Sequence, residues 1–378
     1  MIECINIAME SKGNTKINPS VGAAIVKDGA ILALDCHRAF GAEHAEINVM
    51  NQAGSLCRGA DLYVTLEPCA STGKTPPCVS RIVENGIKRV FIGVIDPNPE
   101  NCGKGVRFLK AHNVEVFIGF AKSECAKLIE DFTKYIVKKI PYYTLKIAQS
   151  IDGKIATKTG NSKWITSKTS RDYVSFLRSI NDAILVGINT VLIDNPQLTI
   201  RLKNFNKTAP FKIVLDTTLK IDENCKLFED HPDRVVICTT ENANSVKKKK
   251  LIDKGIKLYT CKKDNAGRID LYDLSRLLID LKIVRVLVEG GSNIFGSFID
   301  CNLADLIYIF NAPIIIGGRQ ALSSIGGEGA NEVACAKKIK VTSINKFEDD
   351  ILIEAVINDY RDYLFDLTDR VARECLQG

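Results

Sequence analysis

The sequence predicts an α/β protein of two domains. Three observations carry that expectation. The 378 residues exceed what one hydrophobic core usually spans. Apolar strand-like runs alternate with helix-like ones along most of the chain. The alternation breaks at Pro141, which follows the basic Lys138-Lys139-Ile140 and ends a charged helical stretch. The boundary is placed there, giving domains over 1–140 and 141–378.

In the first domain, Val21–Val26 and Ala30–Leu34 are expected strands joined by the turn Lys27-Asp28-Gly29. A helix over His44–Asn51 and a buried strand over Leu62–Leu66 follow. Next come a helix over Val79–Asn85 stopped at Gly86, a strand over Arg89–Val94, a helix over Gly105–His112 and a strand over Val114–Gly119. One charged helix over Ser123–Lys139 closes the unit. The second series opens with the strand Tyr143–Ala148. Strands recur at Ala183–Val186, Lys212–Leu215, Arg234–Cys238, Val284–Val288 and Ile307–Phe310. Helical patterns at Ser167–Ser179, Asn244–Lys254 and Leu271–Leu281 lie between them. There is no internal repeat and no low-complexity linker.

Hydrophobic content of 46% and charged content of 25% are ordinary for a soluble globular protein. Lys+Arg of 51 against Asp+Glu of 45 gives +6, far from the concentrated basic face of a nucleic-acid binder. Lys247–Lys250 is expected to be a solvated helix face, and the mild excess suits a phosphorylated small substrate. The longest apolar stretches, such as Leu306–Ile316, are short and broken by Asn311 and Pro313, so no bilayer span is expected. Thirteen cysteines in a long chain that opens without a signal-peptide pattern point to a reducing, cytoplasmic compartment with thiols free or on metal.

The densest chemistry is His44-Ala45-Glu46, then Pro68-Cys69 and Pro77-Cys78. Zinc prefers imidazole and thiolate, and a catalytic zinc keeps three protein ligands plus water. His44, Cys69 and Cys78 supply three, and two thiolates cancel the ion's charge. Glu46 is the expected proton shuttle. Two positions on an ideal helix lie roughly 200° apart, so His44 and Glu46 converge only if the helix begins near His44. Cys78 follows Pro76-Pro77 at a helix start, where the dipole favours a thiolate. A structural zinc site would need a fourth ligand, with Cys57, Cys102 and His37 the candidates.

Eight residues separate the two cysteines, where simpler zinc deaminases have two. The run Leu66-Glu67-Pro68-Cys69, the run Gly73-Lys74-Thr75-Pro76-Pro77-Cys78 and Asp96-Pro97-Asn98-Pro99 resemble the bifunctional riboflavin-biosynthesis deaminase–reductase family. So does Asn18-Pro19-Ser20-Val21-Gly22. The resemblance continues through Lys146-Ile147-Ala148-Gln149-Ser150-Ile151-Asp152-Gly153-Lys154-Ile155-Ala156, Trp164-Ile165-Thr166-Ser167, Asp194-Asn195-Pro196-Gln197-Leu198-Thr199 and Val288-Glu289-Gly290-Gly291-Ser292, reaching about Gly329. It implies a cytidine-deaminase-like first domain and a dihydrofolate-reductase-like second one. It also implies two reactions, zinc-dependent deamination of a diaminopyrimidinone carrying a phosphoribosylamino group and NADPH-dependent reduction of that ribose to ribityl. Family members self-associate, so a homo-oligomer is implied. One departure is Ala70-Ser71, where the family usually carries Ser-His after the first cysteine. That loop is expected to touch substrate.

Carried over by position, Ala148, Trp164, Thr190, Asp194, Thr217 and the turn of Gly291, Ser292, Asn293, Ile294, Phe295, Gly296 and Ser297 resemble NADP contacts. Asn18, Lys74, Ser162, Arg178, Leu198, Arg201 and Glu289 resemble substrate contacts. Guanidinium forks suit Arg178 and Arg201 to a phosphate, and Lys146 is a candidate for protonating the opened sugar imine. The strand, Gly290-Gly291 turn and following helical segment suit a cofactor phosphate. Asp152 before Gly153 shapes a turn. Two other readings stand beside this one. The first is a deaminase of another base or of RNA with a C-terminal binding module. The second is a zinc-stabilised structural protein, in which Glu46 has no task.

Overall fold

Buried runs of Val, Ile and Leu build two separate sheets, one in each half of the chain. The computed structural model describes residues 1–71, 76–203, 205 and 207–376. The chain divides into Met1–Lys139 with Asp359–Gly378, and Ile140–Asn358.

The first unit holds β1 (Gly22–Lys27), β2 (Ala30–Cys36), β3 (Asp61–Leu66), β4 (Arg89–Val94) and β5 (Glu115–Ile118), in the order β2-β1-β3-β4-β5. β1 runs antiparallel to β2 and β3, whereas β3, β4 and β5 are parallel. The helices are α1 (Ile2–Ser11), α2 (Ala45–Ala53), α3 (Cys78–Glu84), α4 (Lys104–Ala111), α5 (Lys122–Leu128) and α6 (Glu130–Lys138). Alternate residues of β3 and β4 (Leu62, Val64, Val90, Ile92) meet Val49, Val79, Ile82 and Leu109 in a core, all fully buried. Each such side chain stabilises by about 1.5–3 kcal/mol. The single helix expected over Ser123–Lys139 is two, because Ile129 leaves helical geometry at φ −116°, ψ 18°. α1 had no sequence signal strong enough to read, since it buries only Cys4, Ala8 and Ser11.

The second unit contains β6 (Tyr142–Ser150), β7 (Lys154–Ala156), β8 (Ala183–Gly187), β9 (Phe211–Leu215), β10 (Val235–Thr239), β11 (Lys257–Thr260), β12 (Arg285–Gly290), β13 (Ala304–Ala312), β14 (Leu322–Ser323), β15 (Lys340–Phe347) and β16 (Asp350–Val356). Nine form one sheet in the order β11-β10-β9-β8-β12-β6-β13-β16-β15, while β7 and β14 make a small ribbon. The sheet is parallel from β11 through β13 and antiparallel at β13-β16-β15. Its helices are α7 (Lys168–Ser179), α8 (Ile188–Asp194), α9 (Ser245–Asp253), α10 (Leu271–Asp280) and α11 (Ser292–Asp300). Side chains of Ser167, Asn244 and Asp270 cap α7, α9 and α10 by accepting from first-turn amides.

The last helix, α12 (Arg361–Leu376), corrects the sequence-based division. It belongs to the first unit, not to the second domain drawn as 141–378. Leu364, Leu367 and Val371, spaced along one face, complete the first unit's core. Arg361 Nε lies 2.8 Å from Glu130 Oε1, with both side chains buried. No helix among the described residues is long and apolar enough to cross a membrane.

Candidate active sites

In the first unit, His44 is the N-cap of α2, with extended φ −70°, ψ 157°, and Glu46 sits in the helix's first turn. The condition for their convergence is therefore met. Cys78 is the first residue of α3, after Pro77. Cys69 lies on the loop leaving β3. His44 Nδ1 stands 3.2 Å from Cys78 Sγ and 3.6 Å from Cys69 Sγ, and the three ligand atoms lie within 4.8 Å of one another. Ligands of a tetrahedral zinc stand roughly 3.5–3.8 Å apart, given bonds of about 2.0 Å to nitrogen and about 2.3 Å to sulfur. The donor set and its spacing fit that ion.

The Cys78 thiol and the His44 ring both direct hydrogen bonds at Cys69, holding its thiol down at about 4. The same pairing pushes Cys78 well up and His44 up to about 9. A cation bound by the trio would displace protons from it. Burial raises the Glu46 carboxyl above its ordinary range, so it holds a proton more readily than a surface glutamate.

His37 is not a ligand in this arrangement. Its Nδ1 lies 3.0 Å from the Glu43 carbonyl, and its Nε2 lies 3.1 Å from Asn18 Nδ2. Its ring meets His44 edge-on at 5.5 Å. Asn18 therefore reaches the metal cluster through His37. Lys74 lies outside the described residues.

Glu67 gave no sequence signal beyond its place before Pro68, yet it organises the loops behind the cysteines. Its buried carboxylate accepts from the amides of Asp96 (3.3 Å), Gly103 (2.9 Å) and Val106 (3.1 Å), and burial raises its pKa to about 7. Ser71 Oγ, half of the Ala70-Ser71 departure, donates to Asn101 Oδ1 at 2.8 Å.

In the second unit, β6, α7 and the end of β12 bring Lys146, Arg178 and Glu289 together. Arg178 Nε and Nη2 donate to the two Glu289 oxygens at 2.5 and 2.9 Å, and Lys146 Nζ stands 3.7 Å from Oε2. Arg178 Nη1 donates to the Thr199 carbonyl at 2.7 Å. The fork expected for phosphate is thus committed to a carboxylate. Burial raises Glu289's pKa, but Arg178 and then Lys146 more than offset it, and the net shift is downward. Burial lowers Lys146.

The other expected residues divide. Ser162 Oγ donates to Asp194 Oδ1 at 2.8 Å, joining an expected substrate contact to an expected cofactor contact. Gly291 has φ 74° and caps α11, and a Cβ on Gly290 would stand 3.0 Å from Thr190 Oγ1. This turn after β12 is a cradle that side chains would fill, and it suits a nicotinamide cofactor's phosphate. Ser292, Phe295 and Gly296 are buried along α11, Phe295 in the core, while Asn293, Ile294 and Ser297 are more open. Ala148 is half-buried near the end of β6. The Thr217 carbonyl accepts from the hydroxyls of Thr239 and Thr240. The Leu198 side chain packs in the core, so only its backbone, at φ 52°, can face a ligand. Arg201 is exposed. Trp164 is 66% exposed beneath the Arg171 guanidinium, 4.5 Å from the ring centre, so it has no core role. Asp152 accepts from the Ile316 and Gly317 amides at 3.0 and 2.8 Å, pinning its turn to the 314–317 loop.

The family model for the cytidine and deoxycytidylate deaminase zinc-binding region matches residues 1–94, which hold His44, Glu46, Cys69 and Cys78. The model for the RibD C-terminal domain matches residues 141–353. The riboflavin biosynthesis protein RibD of Bacillus amyloliquefaciens is 41% identical over 362 residues, 96% of each chain. The chain belongs to the RibD family. RibD of Acinetobacter baumannii superposes with a TM-score of 0.84 at 31% identity, over 95% of this chain and 98% of that one. A diaminohydroxyphosphoribosylaminopyrimidine deaminase/5-amino-6-(5-phosphoribosylamino)uracil reductase of Thermotoga maritima gives 0.81 at 38% identity, over 94% and 97%. The expected fold class holds for this RibD-family chain: a cytidine-deaminase-like domain first, then the RibD reductase domain.

Proposed function

We propose that the chain carries out two successive steps of riboflavin biosynthesis. The first unit deaminates 2,5-diamino-6-(5-phosphoribosylamino)pyrimidin-4(3H)-one hydrolytically. The second reduces the ribosyl chain of 5-amino-6-(5-phosphoribosylamino)uracil with NADPH. The observation that carries this is the His44, Cys69 and Cys78 cluster with buried Glu46 in the first turn of α2.

Zinc held by those three residues supplies the Lewis acidity that makes water nucleophilic at neutral pH. Glu46, not needed as a ligand, takes the proton of the attacking water and passes it to the departing amine. Water and the ring's amino group thereby become a ring carbonyl and ammonia. Asn18 orients His37 against His44.

NADPH, when bound, supplies a hydride to the opened sugar. Gly291 through Ser297, with Thr190, Asp194, Thr217, Ala148 and Trp164, hold it. Lys146 protonates the imine nitrogen in this reading, its charge balanced by Glu289, while Arg178 fixes that carboxylate. Ser162 and the Leu198 backbone line the substrate. The phosphate falls to exposed Arg201, because Arg178 is already committed.

Thirteen cysteines, none paired among the described residues, support a reducing cytoplasm. The exposed side chains of Val341, Ile344 and Ile351 on the edge hairpin β15–β16 support a homo-oligomer. The test is to follow ammonia and NADPH oxidation together with the diaminopyrimidinone substrate. Both signals are expected. Neither signal from either intermediate would redirect the search to other nucleobases.

A further inference from the structure

The amide of Ile95 is fully buried where β4 ends, and it donates to Thr368 Oγ1 at 3.2 Å. Thr368 is 1% exposed on α12, and the bond joins positions 273 apart. Residue 96 is the hub of the next loop. Asp96's carboxylate accepts from the Asn98 amide at 2.8 Å and from Asn101 Nδ2 at 3.0 Å. A carboxylate accepts only, so Asn101 must turn its NH₂ toward Asp96 and its oxygen away. That oxygen faces Ser71 Oγ at 2.8 Å, so the Ser71 hydroxyl must donate to it. Its one hydrogen is then spent, and its lone pairs are left as acceptors. Ser71 is exposed and stands two residues beyond Cys69.

We propose that Thr368 is a positioning residue for deamination: through Ile95, Asp96 and Asn101 it fixes Ser71 as a hydrogen-bond acceptor for an amino group of the pyrimidine. The inference rests on the deaminase reading above. It also gives the C-terminal helix a task in the first reaction, although the whole reductase sequence separates it from the zinc ligands. Substrates rich in N–H donors, such as a diaminopyrimidinone, match an acceptor there, and a ring lacking them would leave Ser71 unpaired.

The experiment is a double-mutant cycle on the full-length zinc enzyme. Thr368→Val keeps the shape and removes the acceptor for a buried amide, and is expected to raise the deamination KM about tenfold with kcat nearly unchanged. Ser71→Ala is expected to do the same. The double variant should be no worse than Ser71→Ala alone, and Thr368→Ser should restore KM. Hydrogen exchange over 95–101 should quicken in Thr368→Val and return in Thr368→Ser. Reduction of the pre-deaminated intermediate should not change. Additive losses, an unchanged KM or unchanged exchange in Thr368→Val would overturn the proposal while leaving the deaminase reading intact. A wild-type enzyme that releases no ammonia would overturn both.

Discussion

Arg178 grips Glu289 along both carboxylate oxygens, at 2.5 and 2.9 Å, while Lys146 approaches one of them at 3.7 Å. All three side chains are largely buried, at 16%, 6% and 14% exposure. One carboxylate therefore faces two cations. Glu289→Ala leaves both cations buried without a counter-charge and is expected to cost about 3–5 kcal/mol. Denaturant unfolding of the full chain measures it. Arg178→Lys should also lower stability, because an ammonium cannot reproduce the two-pronged contact. Equal midpoints for Arg178→Lys and wild type would refute that part.

Glu46→Gln keeps the volume of the side chain and removes its capacity to carry a proton. Ammonia release is expected to fall by a factor on the order of 10²–10⁴. NADPH oxidation with the deaminated intermediate should be unchanged. A residual rate near wild type would leave Glu46 without a task, as the zinc-scaffold reading has it.

Much of the first site was legible because its ligands lie at sequence landmarks that are also structural ones. His44 caps a helix, Cys78 starts one, and Cys69 follows a strand end. The contributions of Glu67, Asn101 and Thr368 were not legible. They depend on which loops and helices pack together, and no local period reports a hydrogen bond between Ile95 and Thr368. α12 has an apolar stripe that a sequence can reveal, but not the sheet it covers. In the second unit, periodicity found the central strands. It missed β15 and β16, a hairpin with exposed apolar side chains that does not show the usual alternation. The commitment of Arg178 to Glu289 was equally hidden, because a guanidinium's partner is a tertiary fact.

Removing metal tests the three-ligand cluster without touching substrate recognition. Dialysis against a strong chelator should abolish ammonia release and lower the unfolding temperature, with zinc restoring both. Cys78→Ser should reproduce the chelated state and resist rescue. A chelated enzyme with full deaminase activity would exclude the assigned chemistry.

Asp152 links pH to stability. Hydrogen bonds from Ser150 and the Ile316 and Gly317 amides lower its pKa from 3.8 to about 2. The folded state thus binds this proton less tightly than the unfolded chain. The stabilisation is present above pH 3.8 and is lost as pH falls toward 2. Asp152→Asn should melt below wild type at neutral pH, and the two melting curves should converge across that acid window. Parallel curves would mean that the carboxylate contributes nothing through its charge.

Gly105 offers the sharpest steric test. It is the second residue of α4, and a Cβ there would stand 2.2 Å from the Pro68 carbonyl oxygen. Real side chains do not tolerate that approach, so Gly105→Ala must move either α4 or the Pro68–Cys69 loop. The helix is anchored by Val106 and Leu109 in the core and by Glu67 at its first turn, whereas Cys69 is only half-buried. The loop should therefore yield first. Moving Cys69 disturbs its 3.6 Å separation from His44 Nδ1 and should weaken the cluster's hold on zinc. The variant should lose about 1–3 kcal/mol of stability from overpacking. It should also surrender zinc to a chromophoric chelator more readily than wild type. If stability falls while zinc affinity holds, α4 has moved instead, and the ligand loop is the stiffer of the two.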